Sequence, residues 1–151
     1  MLATKKKQYA LRAMYELAKH YGGGKMKMAQ IAKAQSIPER FLEVILVELK
    51  NGGFIASKRG FNGGYELLQP PHQLTVGMVM RYLTRDAKPT ECMAPLPETN
   101  CPFQGQCAFY PMWKKVKDAM FQVFDDTTFQ DLLDGEPAAG IRRLGIFEYA
   151  N

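Results

Sequence analysis

Apolar positions in the first fifty residues recur at helical spacing. Leu11, Met14, Ala18 and Tyr21, widened by Leu17, trace one face of a first helix. Thr4 stands where an N-cap belongs, and Gly22-Gly23-Gly24 ends the run. Met28, Ile31 and Ala32 give a short second helix ending near Gln35. Phe41, Leu42, Ile45, Leu46 and Leu49 line a third, closed by Gly52-Gly53. Ser36 and Glu39 have the S-x-x-E spacing of a capping box ahead of it, with Pro38 tolerated in the first turn. "FIASKR" and "GYELLQ" then alternate as two short strands, with "GFNG" turning between them. Two helices joined by a short turn and followed by a basic, glycine-rich hairpin form a winged helix-turn-helix pattern. The expected fold class is therefore mainly α with a small β-hairpin wing.

Downstream, Thr75 is placed to cap a helix running through Val79, Met80 and Leu83 toward Asp86. Five of the nine prolines fall between residues 89 and 111, which predicts an irregular loop. Trp113, Val116, Met120 and Val123, broadened by Phe124, then mark a long helix, and a short one follows it. The chain thus divides into a winged helix-turn-helix over 1–86, a cysteine-rich loop over 87–110 and helices over 111–134. The tail over 135–151 has no interpretable pattern.

Charge adds a polarity to this plan. Residues 1–60 hold 12 Lys/Arg against 4 Asp/Glu, while the remainder holds 8 against 11. A basic half joined to an acidic one suggests that the first half meets a polyanion. Lys5, Lys6 and Lys7 open the first helix, where its dipole disfavours exposed cations by roughly 0.3–1 kcal/mol each. Nearby phosphates would offset that cost; a merely solvated lysine run is the competing account. Ser36, Glu39, Arg40 and Glu43 stand at the start of the second helix of the helix-turn-helix, the end that meets base edges in such motifs. Arg40 suits guanine O6 and N7, and Glu43 suits cytosine N4. For both glutamates, helix-dipole complementation is an alternative. Lys58, Arg59, Gly60 and Asn62 form the base and tip of the wing.

No apolar run approaches the ~20 residues of a membrane span, and no secretory signal is evident, so a cytoplasmic protein without membrane partners is expected. The chain lacks Cys-x-x-Cys, His-Glu-x-x-His and phosphate-binding glycine motifs, which argues against an enzyme.

All three cysteines, Cys92, Cys101 and Cys107, lie in the proline-rich loop with Cys-x8-Cys-x5-Cys spacing. Where thiols stay reduced, such a cluster points to metal or redox chemistry more than to disulfides. Structural zinc favours paired Cys-x2–4-Cys knuckles, which are absent. Wider gaps suit an iron–sulfur cluster held by thiolates. Zinc and a metal-free thiol switch remain open on spacing alone.

"YALRAMYELAKHYG", "IAKAQSIPERFLEVILVELKNGGFIASKRGFNGGYELLQPP" and "LTVGMVMRYL" resemble winged-helix transcriptional regulators of the IscR and NsrR type (Rrf-type). The likeness runs from about residue 1 to residue 134, and its most specific pieces are "YALRAM", "FLE" and Arg59-Gly60-x-x-Gly63-Gly64-Tyr65. The resemblance implies a homodimeric regulator, commonly a repressor, that binds double-stranded DNA at a palindromic operator. It also implies a [2Fe–2S] or [4Fe–4S] cluster on Cys92, Cys101 and Cys107, responding to iron, nitric oxide, redox state or cluster supply. The long helix would pair with its twin. The chain departs from the family at Phe61 and Asn62, where small residues are usual. It departs again at Tyr110, where IscR-like members place a histidine, and at Gln8, where others place an acidic ligand. The fourth cluster ligand is thus unassigned; Glu91 and Glu98 are the local carboxylates.

Overall fold

The computed structural model describes residues 4–84, 102–103 and 105–135. Helix α1 (Lys5–Lys19) begins where Thr4 Oγ1 accepts the Lys7 amide at 3.4 Å. Its buried face is Ala10, Ala13, Met14, Leu17 and Ala18. Against it pack α2 (Met28–Gln35), through Ile31 and Ala32, and α3 (Glu39–Asn51), through Leu42, Ile45, Leu46 and Leu49. Most of the apolar periodicity therefore becomes one shared core, but Phe41 and Tyr21, expected on these faces, are 49% and 47% exposed, Tyr21 lying beyond the end of α1.

The expected capping box fails. Ser36 does not cap α3; it closes α2 in the left-handed region, φ 51°, ψ 44°, and is the one described non-glycine residue with positive φ. The next amide, of Ile37, donates to the Ala32 carbonyl at 2.9 Å, and the Ile37 side chain is buried. Pro38 is the N-cap of α3, without a side-chain cap bond. The physical reason is proline. A Ser36 cap would make Ile37 the first helical residue, and a residue preceding proline is sterically turned away from helical angles.

Strands β1 (Ile55–Lys58) and β2 (Gly64–Leu67) pair antiparallel, with Ile55 opposite Leu67 and Lys58 opposite Gly64. Met26 extends this sheet by exchanging two backbone bonds with Tyr65, at 2.9 and 2.8 Å. That bridge anchors the wing to the segment leading into α2.

Thr75 caps α4 (Val76–Thr84) by accepting the Met78 amide at 3.1 Å. Helix α5 (Tyr110–Asp125) is held against α4 by a two-pronged ion pair in which Arg81 grips Asp125; its Nη2–Oδ2 arm is 2.6 Å long. Arg81 also lies over the Phe121 ring, 4.7 Å from its centroid. After α5 the chain returns to the core. The Val76 amide bonds the Thr127 carbonyl, and the Phe129 amide bonds that of Leu74, both at 2.9 Å. Helix α6 (Phe129–Asp134), capped by Thr128 and Asp131, thereby inserts Phe129 beside α1 at 0% exposure.

Two outcomes follow from this packing. Phe129→Ala should lower unfolding free energy by about 3–5 kcal/mol, read by urea denaturation, because it empties a closed site. The Arg81 hydrogen bond holds the Asp125 carboxyl below its ordinary value of 3.8. Its stabilising contribution should be complete above that value and disappear as pH falls through the lower folded value. The stability difference between the parent and Asp125→Asn should accordingly shrink in acid.

Candidate nucleic-acid interface and cysteine site

The core decides which face of α3 is left to solvent. With Leu42, Ile45, Leu46 and Leu49 turned inward, Glu39, Arg40, Glu43, Val44, Val47 and Lys50 are exposed. Arg40 lies over the Phe41 ring, its guanidinium carbon 4.9 Å from the centroid. Phe41 in turn approaches Tyr9 of α1, with ring centroids 6.5 Å apart. Lys6 Nζ is 2.7 Å from Glu48 Oε2. The N-terminal part of α1 thus runs beside α3, and one member of its lysine run is already engaged. Lys5 is exposed and Lys7 half-buried.

The wing tip is built by close backbone approach. A Cβ on Gly63 would collide with the Lys58 carbonyl oxygen, and Gly60 has φ +103°, so two of the tip glycines are sterically required. The Gly63 amide closes the turn on the Gly60 carbonyl at 3.0 Å. Lys27, which sequence reading did not single out, clasps the tip. Its ammonium donates to the carbonyls of Gly60, at 3.2 Å, and Phe61. Nothing local signals this contact, because the partners are 33 and 34 residues apart. Lys58, Arg59, Gly60 and Asn62 are all exposed, and the Phe61 side chain projects at 96% exposure. Ser36, placed by its turn at the junction of α2 and α3, is exposed as well.

The candidate contact residues at the start of α3 and in the wing therefore sit on solvent-facing surfaces with their charged ends available. Val44 and Val47, 61% and 53% exposed, share the outward face of α3 and were missed because that face was read only for its polar residues.

Of the three cysteines, Cys107 alone is described: it is a free, half-buried thiol shortly before α5. Cys92 and Cys101 lie outside the described residues. Among the described residues no group of three or more His, Cys, Asp or Glu side chains could hold a metal ion. Tyr110 opens α5, and its amide bonds the Cys107 carbonyl at 3.1 Å. Cys107 is thus tied through its backbone to the first residue of α5.

Residues 3–135 match the family described as "Rrf2: Iron-dependent Transcriptional regulator". The chain belongs to the Rrf2 family. It is 34% identical over 142 residues to the HTH-type transcriptional regulator CymR of Bacillus subtilis, an alignment covering 92% of this chain and 96% of that protein. Among solved structures, T. potens IscR superposes with a TM-score of 0.71 at 29% identity, covering 92% of this chain and 91% of that one. Staphylococcus aureus CymR in its oxidized form gives 0.65 at 31% identity, covering 87% and 95%. The Rrf2 assignment makes the chain a winged-helix transcriptional regulator rather than an enzyme.

The Lys27 clasp makes a structural prediction. Lys27→Met should free the tip, giving faster amide exchange at Gly63 and faster tryptic cleavage after Arg59, with thermal stability nearly unchanged.

Proposed function

We propose that this regulator docks α3 in the major groove of double-stranded DNA, with the wing against the flanking backbone. The observation that carries the reading is the outward presentation of Arg40 and Glu43 beside a basic wing. Arg40 donates to guanine O6 and N7, and Glu43 accepts from cytosine N4. Lys5, Lys7, Lys58 and Arg59, with the backbone of Gly60 and the side chains of Ser36, Glu39 and Asn62, fix position on the phosphates and groove walls. Lys6, held by Glu48, contributes its charge to the same surface.

The active species in this reading is a homodimer. Helix α5 has no fully buried residue in the single chain, and Met112, Trp113 and Val116 are 46%, 36% and 43% exposed. Pairing that face with its twin would cover it and present two α3 helices to a palindromic operator, with half-sites about one turn (~34 Å) apart.

The signal enters at the cysteine loop. Cys92, Cys101 and Cys107 would hold an iron–sulfur cluster, whose chemistry supplies sensitivity to iron, oxidants or nitric oxide. Because Cys107 leads directly into α5, ordering of the loop changes how that helix is seated and hence the spacing of the two α3 helices. A coupling of about 1–3 kcal/mol, the ordinary allosteric size, alters operator affinity roughly 5- to 150-fold. A second reading, a metal-free thiol switch on the same cysteines, is favoured by the similarity to a CymR solved in an oxidized form.

Anaerobic reconstitution with iron and sulfide separates the two. The cluster reading expects a coloured protein with stoichiometric iron and sulfide that Cys107→Ser fails to form. A colourless protein whose DNA affinity changes on mild oxidation supports the thiol reading instead. For DNA, Arg40→Ala should lower the preference for selected over random duplex by about 5- to 150-fold, the worth of one bidentate base contact. Equal losses on both duplexes would remove Arg40 as a base reader.

A further inference from the structure

The outward face of α3 is not the charged surface expected of a solvated helix. Val44 and Val47 are 61% and 53% exposed, and Phe41, one turn earlier, is 49% exposed. Phe41 has neighbours, the Arg40 guanidinium above its ring and the Tyr9 ring nearby. Two branched apolar side chains are thus held in water on the helix whose polar residues Arg40 and Glu43 face the same way.

We propose that Val44 and Val47 are specificity-determining residues that read thymine C5-methyl groups in the major groove. The inference rests on the DNA-reading assignment of α3 and adds what its apolar positions recognise. Three observations choose this occupant. The valines share a face with Arg40 and Glu43, so whatever contacts those polar groups also covers the valines. On α3 the exposed charges are balanced, Arg40 and Lys50 against Glu39 and Glu43, and the wing adds exposed Lys58 and Arg59; the net positive surroundings favour a polyanion over an apolar protein surface. In the major groove the apolar feature that base edges offer is the thymine methyl. Geometry agrees, because residues three apart on a helix are ~4.5 Å apart along its axis. That is close to one base-pair rise of about 3.4 Å, so the two valines face neighbouring steps. Arg40, one turn earlier, lies toward a guanine on the same side.

Methyl reading has a signature that hydrogen-bond reading lacks: it disappears when thymine is replaced by uracil, which keeps every donor and acceptor. The preferred duplex is first selected from a random pool with the full-length protein. It is then resynthesised with deoxyuridine at each thymine in turn. Removing a contacted methyl should weaken binding about four-fold, the transfer value of one buried CH2. The sensitive positions should be one or two adjacent base pairs in each half-site. Val44→Ala should bind the thymine duplex more weakly and lose its sensitivity to deoxyuridine at one of them, and Val47→Ala at its neighbour. Val44→Thr, which keeps one methyl, should retain part of it. Both valines are exposed, so these variants should keep the parent melting temperature.

Equal affinity for thymine and uracil duplexes at every position overturns the proposal while leaving α3 as a polar reader. Sensitivity that persists in both alanine variants overturns it as well. A change in sedimentation without a change in DNA affinity would assign the valines to a protein contact instead. Absence of any selected sequence overturns the reader assignment of α3, and the valine assignment with it.

Discussion

The packing of α1 against α3 is the constraint on which the rest of the molecule depends. Ala10 and Ala13 are both fully buried, and such small side chains let neighbouring elements approach closely. Leu42, Ile45, Leu46 and Leu49 supply the opposing surface from α3. Because a helix has one stripe to bury, committing these four inward commits Arg40, Glu43, Val44 and Val47 outward. The recognition surface is therefore the complement of the core. Helices α2 and α6 and strand β2 also pack on α1, so the lysine run at its start, the wing and the α6 helix refer to one frame.

Polar contacts then position what the core leaves loose. Buried Glu16 accepts from Gln35 at 2.6 Å and lies 3.4 Å from the Lys19 ammonium, tying the end of α2 to α1. Lys25 pairs with Glu66 at 2.6 Å, and the Met26 bridge sits between that pair and the Lys27 clasp. Three consecutive residues thus fasten the hairpin, its middle and its tip. The wing is anchored from outside its own sequence, which suits an element of only two four-residue strands, too small to be stable alone. At the other side, the Arg81–Asp125 pair joins α5 to α4, a helix seated in the core through Val79 and Leu83.

Much of this was legible in the chain itself. Apolar periodicity located α1, α2 and α3, Thr4 and Thr75 marked two helix starts, and the alternation around the glycine tip gave the hairpin. Spacing carries those signals because local geometry fixes them. The Ser36–Glu39 pattern misled because two local rules competed, and the steric demand of Pro38 outweighed a cap worth about 1 kcal/mol. Val44 and Val47 were passed over for another reason: on a helical wheel they fall opposite the core stripe of Leu42, Ile45, Leu46 and Leu49, on a face read only for its polar residues.

The sequence by itself determined the order of the described elements, the basic first half, the grouping of all three cysteines between residues 92 and 107, and membership of a regulator family. Each is written in residue type and spacing. The tertiary structure alone decided that Lys6 is engaged by Glu48, that Lys27 holds a wing tip more than thirty residues away, and that Phe129 returns to the core of the winged helix. These are contacts between residues distant in the chain, and no local pattern encodes them; they exist because burial of one face of each helix fixes everything carried on the other.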